Sequence, residues 1–472
     1  MTTPERDVRR AVTAMRRDWL VYATMWSAAI LAMTAIYFSQ ESGRSAGTRA
    51  DGDDAPIRSA EEGPAGLAAR EPSAPQAAPP PGPPRQYRGD RRHTGRSSFA
   101  GPTRADRYWR YETQGHVVGQ PVVGEDGTVY VGSRDHFVYA LTPTGGLRWR
   151  RDLGSDVYAS PALHDGRLYV GSDANFFFVL DADDGEVLVH LRTEGDVDTG
   201  IAVGADGTAY FGAGQELWAV APDGSVRFRF RAHDKIFSAP AIDDDGTVYF
   251  GSQDDHLYAL ASDGTLRWAF QARNDIDSGP VIADDGTIFC GSDDHYVYAL
   301  DRNGTVRWRA DVGGYVRTPV GLGLDDNVLV PVFGPHARLV SLDAATGREQ
   351  WTFSVSRTDS NELGVGSSPL VDRDGNIYFG ADDDYVYAID RIGRLRWIYP
   401  TGGNVDGDPV LAADGTLIVG SDDRALHALR AVPSSTDVAE EVSPADAGGL
   451  MEDGHPGEAA ETDQPVGSTP SR

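Results

Sequence analysis

From Tyr108 to Leu429 the chain runs in short stretches where apolar and polar residues alternate, and Gly, Asp or Asn interrupts each stretch. A period of two is the spacing of a strand that buries one face, and no segment in this region shows the helical period. The copy DSGPVIADDGTIFCGSDDHYVYALDRNGTVRWRA, Asp277 to Ala310, contains the whole pattern. It predicts strands over Gly279–Ala283, Thr287–Cys290, Tyr296–Leu300 and Thr305–Arg309. The Asp-Gly and Asn-Gly pairs between them supply the positive-φ residues that tight hairpins require.

The pattern repeats. One aromatic column, Trp109, Trp149, Phe228, Trp268, Trp308, Trp351 and Trp397, with Val189 in its aliphatic slot, advances by 40, 40, 39, 40, 40, 43 and 46 residues. A period in this range means stacked units, none of which buries its apolar face alone. Four antiparallel strands per unit make a propeller blade. A proline opens the first strand at Pro121, Pro161, Pro240, Pro280, Pro319, Pro369 and Pro409, with Ile201 in the remaining place, so eight blades are expected. The last unit lacks a fourth strand, whereas Asp106–Glu112 is a fourth strand without a blade. Joining the two would close the ring and remove two sheet edges.

The flanks read differently. Trp19–Phe38 is twenty uncharged residues behind Arg9, Arg10, Arg16 and Arg17. That length crosses a bilayer as a helix, and the arginines leave the N-terminus cytoplasmic. The expected order is therefore a cytoplasmic segment (1–18), a transmembrane helix (19–38), a disordered Pro/Ala/Gly-rich linker (39–84), an all-β propeller (85–430) and an acidic disordered tail (431–472). The protein is expected in the inner membrane as a single-pass, monomeric chain with its propeller in the periplasm. A cleaved signal peptide is the alternative, but its apolar stretch is normally shorter.

The blades resemble the PQQ-like (quinoprotein-like) propeller repeat over about Gln86 to Arg430. LDAATGREQW, Leu342 to Trp351, is similar to that family's tryptophan-docking pattern, and QYRGDRRHTGRSSFAGP, Gln86 to Pro102, to its lead-in. The resemblance implies that the column Trp109, Trp149, Phe228, Trp268, Trp308, Trp351 and Trp397 packs on neighbouring blades. It also implies two functions. BamB-like members carry no catalytic residues and assist insertion of β-barrel proteins into the outer membrane. Quinoprotein dehydrogenases build a cofactor chamber from long insertions, with adjacent cysteines over the quinone and a calcium held by Glu, Asn and Asp. The single cysteine, Cys290, excludes that disulfide, and links of 11–12 residues leave little chain for a chamber. The expectation is a non-enzymatic scaffold without cofactor or metal.

Candidate chemistry gathers at one end of the channel. Links into first strands and turns between second and third strands share a face, here the top. Three residues before each opening position stand Val118, Tyr158, Asp198, Phe237, Asp277, Val316, Gly366 and Asp406, flanked by Arg317 and Asp408. This partly aromatic, acidic funnel is the expected partner site, with Tyr158, Asp198, Phe237, Asp277, Arg317 and Asp406 as its contacts. Solvated, exposed carboxylates around a water-filled mouth are the plainer reading. A net charge of −28 excludes nucleic acid and favours a basic protein partner. The Asp runs at Asp243–Asp245, Asp372–Asp374 and Asp382–Asp384 lack the terminal Glu of a calcium loop and fall where turns are needed. His136, His256 and His295 follow aspartates at similar turns on separate blades. Arg88-Gly89-Asp90 is read as a turn rather than an adhesion motif, Cys290 as a core thiol. The long link Thr352 to Ser368 is a second partner-contact candidate.

Overall fold

Turn chemistry sets the blades. Gly286 (φ +80°) and Gly304 (φ +80°) close the first and last hairpins within the blade that runs from Val281 to Asp311, a conformation that costs glycine little. The observed strands are Val281–Ile282, Ile288–Gly291, Tyr296–Leu300 and Val306–Asp311, so the innermost strand is shorter than its apolar run. This computed structural model describes residues 85–334, 336–355 and 364–431. The expected transmembrane helix at 19–38, the linker, the tail beyond 431 and the middle of the long 352–368 link (356–363) lie outside the described residues. Among the described residues, no helix is long and apolar enough to cross a membrane.

Eight four-stranded antiparallel sheets form the ring. Seven are consecutive in sequence. The eighth takes its outer strand from the N-terminal side: Arg107–Glu112 pairs with Ala425–Leu429, in register from Trp109↔Ala428 to Glu112↔Ala425. Closure is also visible in the core. Eight apolar clusters each join two adjacent blades, and one of them packs Val129, Val131 and Tyr139 of the first blade on Ile418, Leu426 and Ala428 of the last. Cys290 is fully buried in another, beside Tyr249, Leu257 and Tyr298.

The aromatic column docks each blade on the next. Trp149 Nε1 donates to Ala182 O at 3.0 Å, Trp268 to Arg302 O at 2.9 Å and Trp308 to Ala344 O at 2.9 Å. The rings lie on the glycine of the following hairpin: a Cβ on Gly185 would come within 2.7 Å of Trp149, and one on Gly393 within 2.7 Å of Trp351. The aspartates beside the turns work as turn residues. Thr247 N donates to Asp245 and Asn376 N to Asp372. Outer-strand arginines close the same turns from the rim, Arg148 on Asp126 at 2.7 Å and Arg307 on Asp285 at 2.9 Å. His136 and His295 hold positive-φ turn positions (+77° and +75°), and no group among the described residues converges on a metal geometry.

Candidate functional site: an acidic cup over a sealed channel

A buried aliphatic anchors each top link. Val157, Ile276 and Val316 donate their N–H groups to Ser133, Ser252 and Ser292 at 3.2, 3.1 and 3.3 Å, and all three are buried. The next residue is then delivered to the mouth: Val118, Tyr158, Asp198, Phe237, Asp277, Gly366 and Asp406 follow their anchors in this way. In the sixth blade the anchor is Val316 itself, with 0% exposure, so the column there belongs to Arg317. Counting back from Pro319 misplaces it because this link is one residue shorter. Tyr158, Asp198, Phe237, Asp277, Arg317 and Asp406 line one cavity of about 160 Å³ together with Asp408.

The cup has a floor that the sequence did not disclose. Residues Arg85–Pro102 form a plug at the inner ends of the blades rather than a loose lead-in. Arg91, Arg92, Thr94 and Gly95 carbonyls accept the N–H groups of Ile242, Ile282, Leu322 and Val371 at 2.7, 2.9, 3.1 and 2.7 Å. Gln86 does the same for Val203 through its side chain, at 2.5 Å. Arg88 is 2% exposed; its guanidinium donates to Val320 O (2.7 Å), Pro369 O (3.2 Å) and His93 O (3.1 Å). That burial rules out Arg88 as part of an adhesion motif. His93 is fully enclosed against Tyr87, with ring centroids 5.2 Å apart; burial, with Arg88 nearby, pushes its imidazole down to about 3. Asp408 is Arg88's buried counter-charge and accepts Ser368 N at 2.5 Å. One signal lay in the composition: RGDRRH crowds charge into a segment read only as the lead-in to the blades.

The mouth carboxylates are half-buried, not exposed as expected, and they meet between blades. Asp382, from a turn, faces Asp406, from a link, and both Oδ1 atoms crowd Gly366, where a Cβ would meet each at 2.7 Å. Desolvation and the facing charge push Asp382 up to about 8, and desolvation takes Asp406 to about 6. Asp173 is raised to about 8 in the same manner against Asp198, and Asp277 to about 6 by burial. Asp173 and Asp382 were not foreseen because the pairing joins different blades. Raised carboxylates bind protons that the unfolded chain releases near pH 4, so their stabilisation is full below about pH 4 and is lost steadily as pH rises from there through 6–8. Asp382→Asn is therefore expected to melt higher than the parent at pH 8, with the gap narrowing steadily as pH falls towards about 4; a gap independent of pH would contradict the pairing.

Similarity places this architecture among known proteins. BamB from Moraxella catarrhalis superposes with a TM-score of 0.57 at 14% identity, covering 69% of this chain and 100% of that one. Quinohemoprotein alcohol dehydrogenase from Comamonas testosteroni gives 0.64 at 15%, covering 73% and 80%. A europium-containing methanol dehydrogenase gives 0.60 at 15%, covering 71% and 90%. Identities this low carry the fold and leave the chemistry open. No curated protein matches the chain in sequence. Residues 102–196, 189–277 and 261–419 match the family model described as outer membrane protein assembly factor BamB. The chain thus belongs to the BamB family of PQQ-like β-propellers.

Proposed function

We propose that the chain is a non-catalytic scaffold of the cell envelope, tethered through 19–38, that offers its acidic mouth to a basic protein partner, with BamB-like outer-membrane protein assembly as its setting. The observation that carries this reading is the sealed cup. Tyr158, Asp198, Phe237, Asp277, Arg317 and Asp406 come to it from six different blades, and Tyr87 and Arg88 close the axis beneath them. A site of this kind recognises through charge and shape, and charge complementarity chiefly speeds and steers association. The double charge reversal Asp198→Lys/Asp277→Lys should lower recovery of the partner crosslinked to the full chain in membranes by about tenfold, or ~1.4 kcal/mol. Undiminished recovery would contradict the reading.

Quinoprotein dehydrogenation is the second reading, favoured by two of the structural neighbours. The residues present do not fit the quinone. Cys290 is buried between two blades, away from the mouth, with no second cysteine to join it. A chain that nonetheless oxidised alcohols with added quinone would require a rearranged plug.

A further inference from the structure

Blade three departs from the others at the top face. Between Ala213 and Glu216 its turn has two residues, where the blade after next has three, Asp293 to His295, between Ser292 and Tyr296. Glycines take the two facing positions: a Cβ on Gly195 would lie 2.7 Å from Gly214 Cα. The shortened turn opens a notch of about 430 Å³ beside the cup. Asp198 and Phe237 line both spaces, so the mouth continues sideways into the notch. Glu194, Asp196 and Asp234 extend the acidic lining outward.

Buried carboxylate oxygens without hydrogen-bond partners collect here. Asp198 Oδ1 and Asp277 Oδ1 belong to this set, and so does Oδ2 of Asp408, which lines the cup and is 6% exposed. An orphaned buried acceptor calls for a donor. A metal ion is a poor fit, since no three ligands converge among the described residues. An organic cation suits the aromatic walls better. The chain's own cations already sit in that way around the rim, Arg134 over Tyr158 at 4.8 Å, Lys235 over Phe237 at 5.7 Å and Arg317 over Tyr315 at 4.7 Å.

We propose that the mouth and the blade-three notch together receive an extended segment of the protein partner, which places one lysine or arginine side chain between Asp198 and Phe237. The inference rests on the partner-binding reading above and names the segment that reading leaves open. The notch gives the segment its way out of the cup, and the unpartnered carboxylate oxygens give the cation its donors' targets. A cation beside Asp198 also favours ionisation of Asp173, whose carboxyl is held raised by burial and by Asp198, so a proton leaves on binding.

Calorimetric titration of the full chain tests this at pH 7 with the probe acetyl-Gly-Lys-Gly-Lys-Gly-amide and its glutamine counterpart, in phosphate and in Tris. The lysine probe is expected to bind at least about tenfold more tightly than the glutamine probe, with proton release seen as a buffer-dependent enthalpy. Asp198→Asn should weaken binding by about tenfold and abolish the release, Phe237→Leu should weaken it without touching the release, and Glu125→Gln on the opposite face should change neither. Equal binding of the two probes, no detectable binding, or an equal loss in Glu125→Gln would overturn the proposal. Partner recovery that depends on Asp198 and Asp277 without proton release by the probe would sink the pocket alone. Probe binding at Asp198 with recovery indifferent to both aspartates would sink the partner reading instead.

Discussion

A chain that begins after Glu112 is expected to lose cooperative unfolding altogether. Two structures go at once. The strand Arg107–Glu112 leaves blade eight, exposing the edge of Ala425–Leu429 and the apolar faces of Leu426 and Ala428 that now meet the first blade. Trp109 leaves its seat on Gly145 and Pro143, where its Nε1 donates to Pro143 O at 2.9 Å. The plug goes as well, stripping partners from the inner strands of blades three to seven. A ring of stacked blades distributes its stability over neighbour interfaces, and an opened ring has lost one of them and gained two edges. Thermal unfolding of the shortened chain should be broad and without a single transition; a sharp melt like that of the full chain would refute closure by this strand.

Arg88→Ala comes next in size. The side chain is buried and holds carbonyls from blades six and seven together with His93 O. Its loss leaves three acceptors and the Asp408 carboxylate without their cation in a closed interior. Breaking a buried charge pair from one side costs about 3–5 kcal/mol. Arg88→Lys should recover only part of this, because an ammonium cannot span the same carbonyls in a planar fork. The midpoint of urea unfolding should fall at unchanged slope. A shift below about 1 kcal/mol would place Arg88 among ordinary surface residues.

The ring was legible because period and turn chemistry agree at every level. Asp-Gly and Asn-Gly pairs fix hairpins locally, and the tryptophan column repeats what each hairpin needs from its neighbour. The closing strand was legible too, since Trp109 precedes Pro121 by the same twelve residues that separate Trp149 from Pro161. The plug was not. Its hydrogen bonds run from backbone carbonyls such as Arg91 O to blades more than a hundred residues away, and a single chain carries no periodic trace of such contacts. The mouth was half legible. Spacing found Tyr158, Asp198, Phe237, Asp277 and Asp406, but a one-residue contraction before Pro319 moved the column from Val316 to Arg317. Their partners Asp173 and Asp382 sit on turns that sequence assigns only to hairpin geometry.

Hydrogen–deuterium exchange on the full chain, with and without its crosslinked partner, tests the central claim most directly. The account predicts slowed exchange in the top links at 194–198, 234–237 and 275–277, with the opposite-face turns at 244–246 and 284–286 unchanged. Protection confined to those opposite turns or to the outer strands, with the top links exchanging as in the free chain, would contradict it.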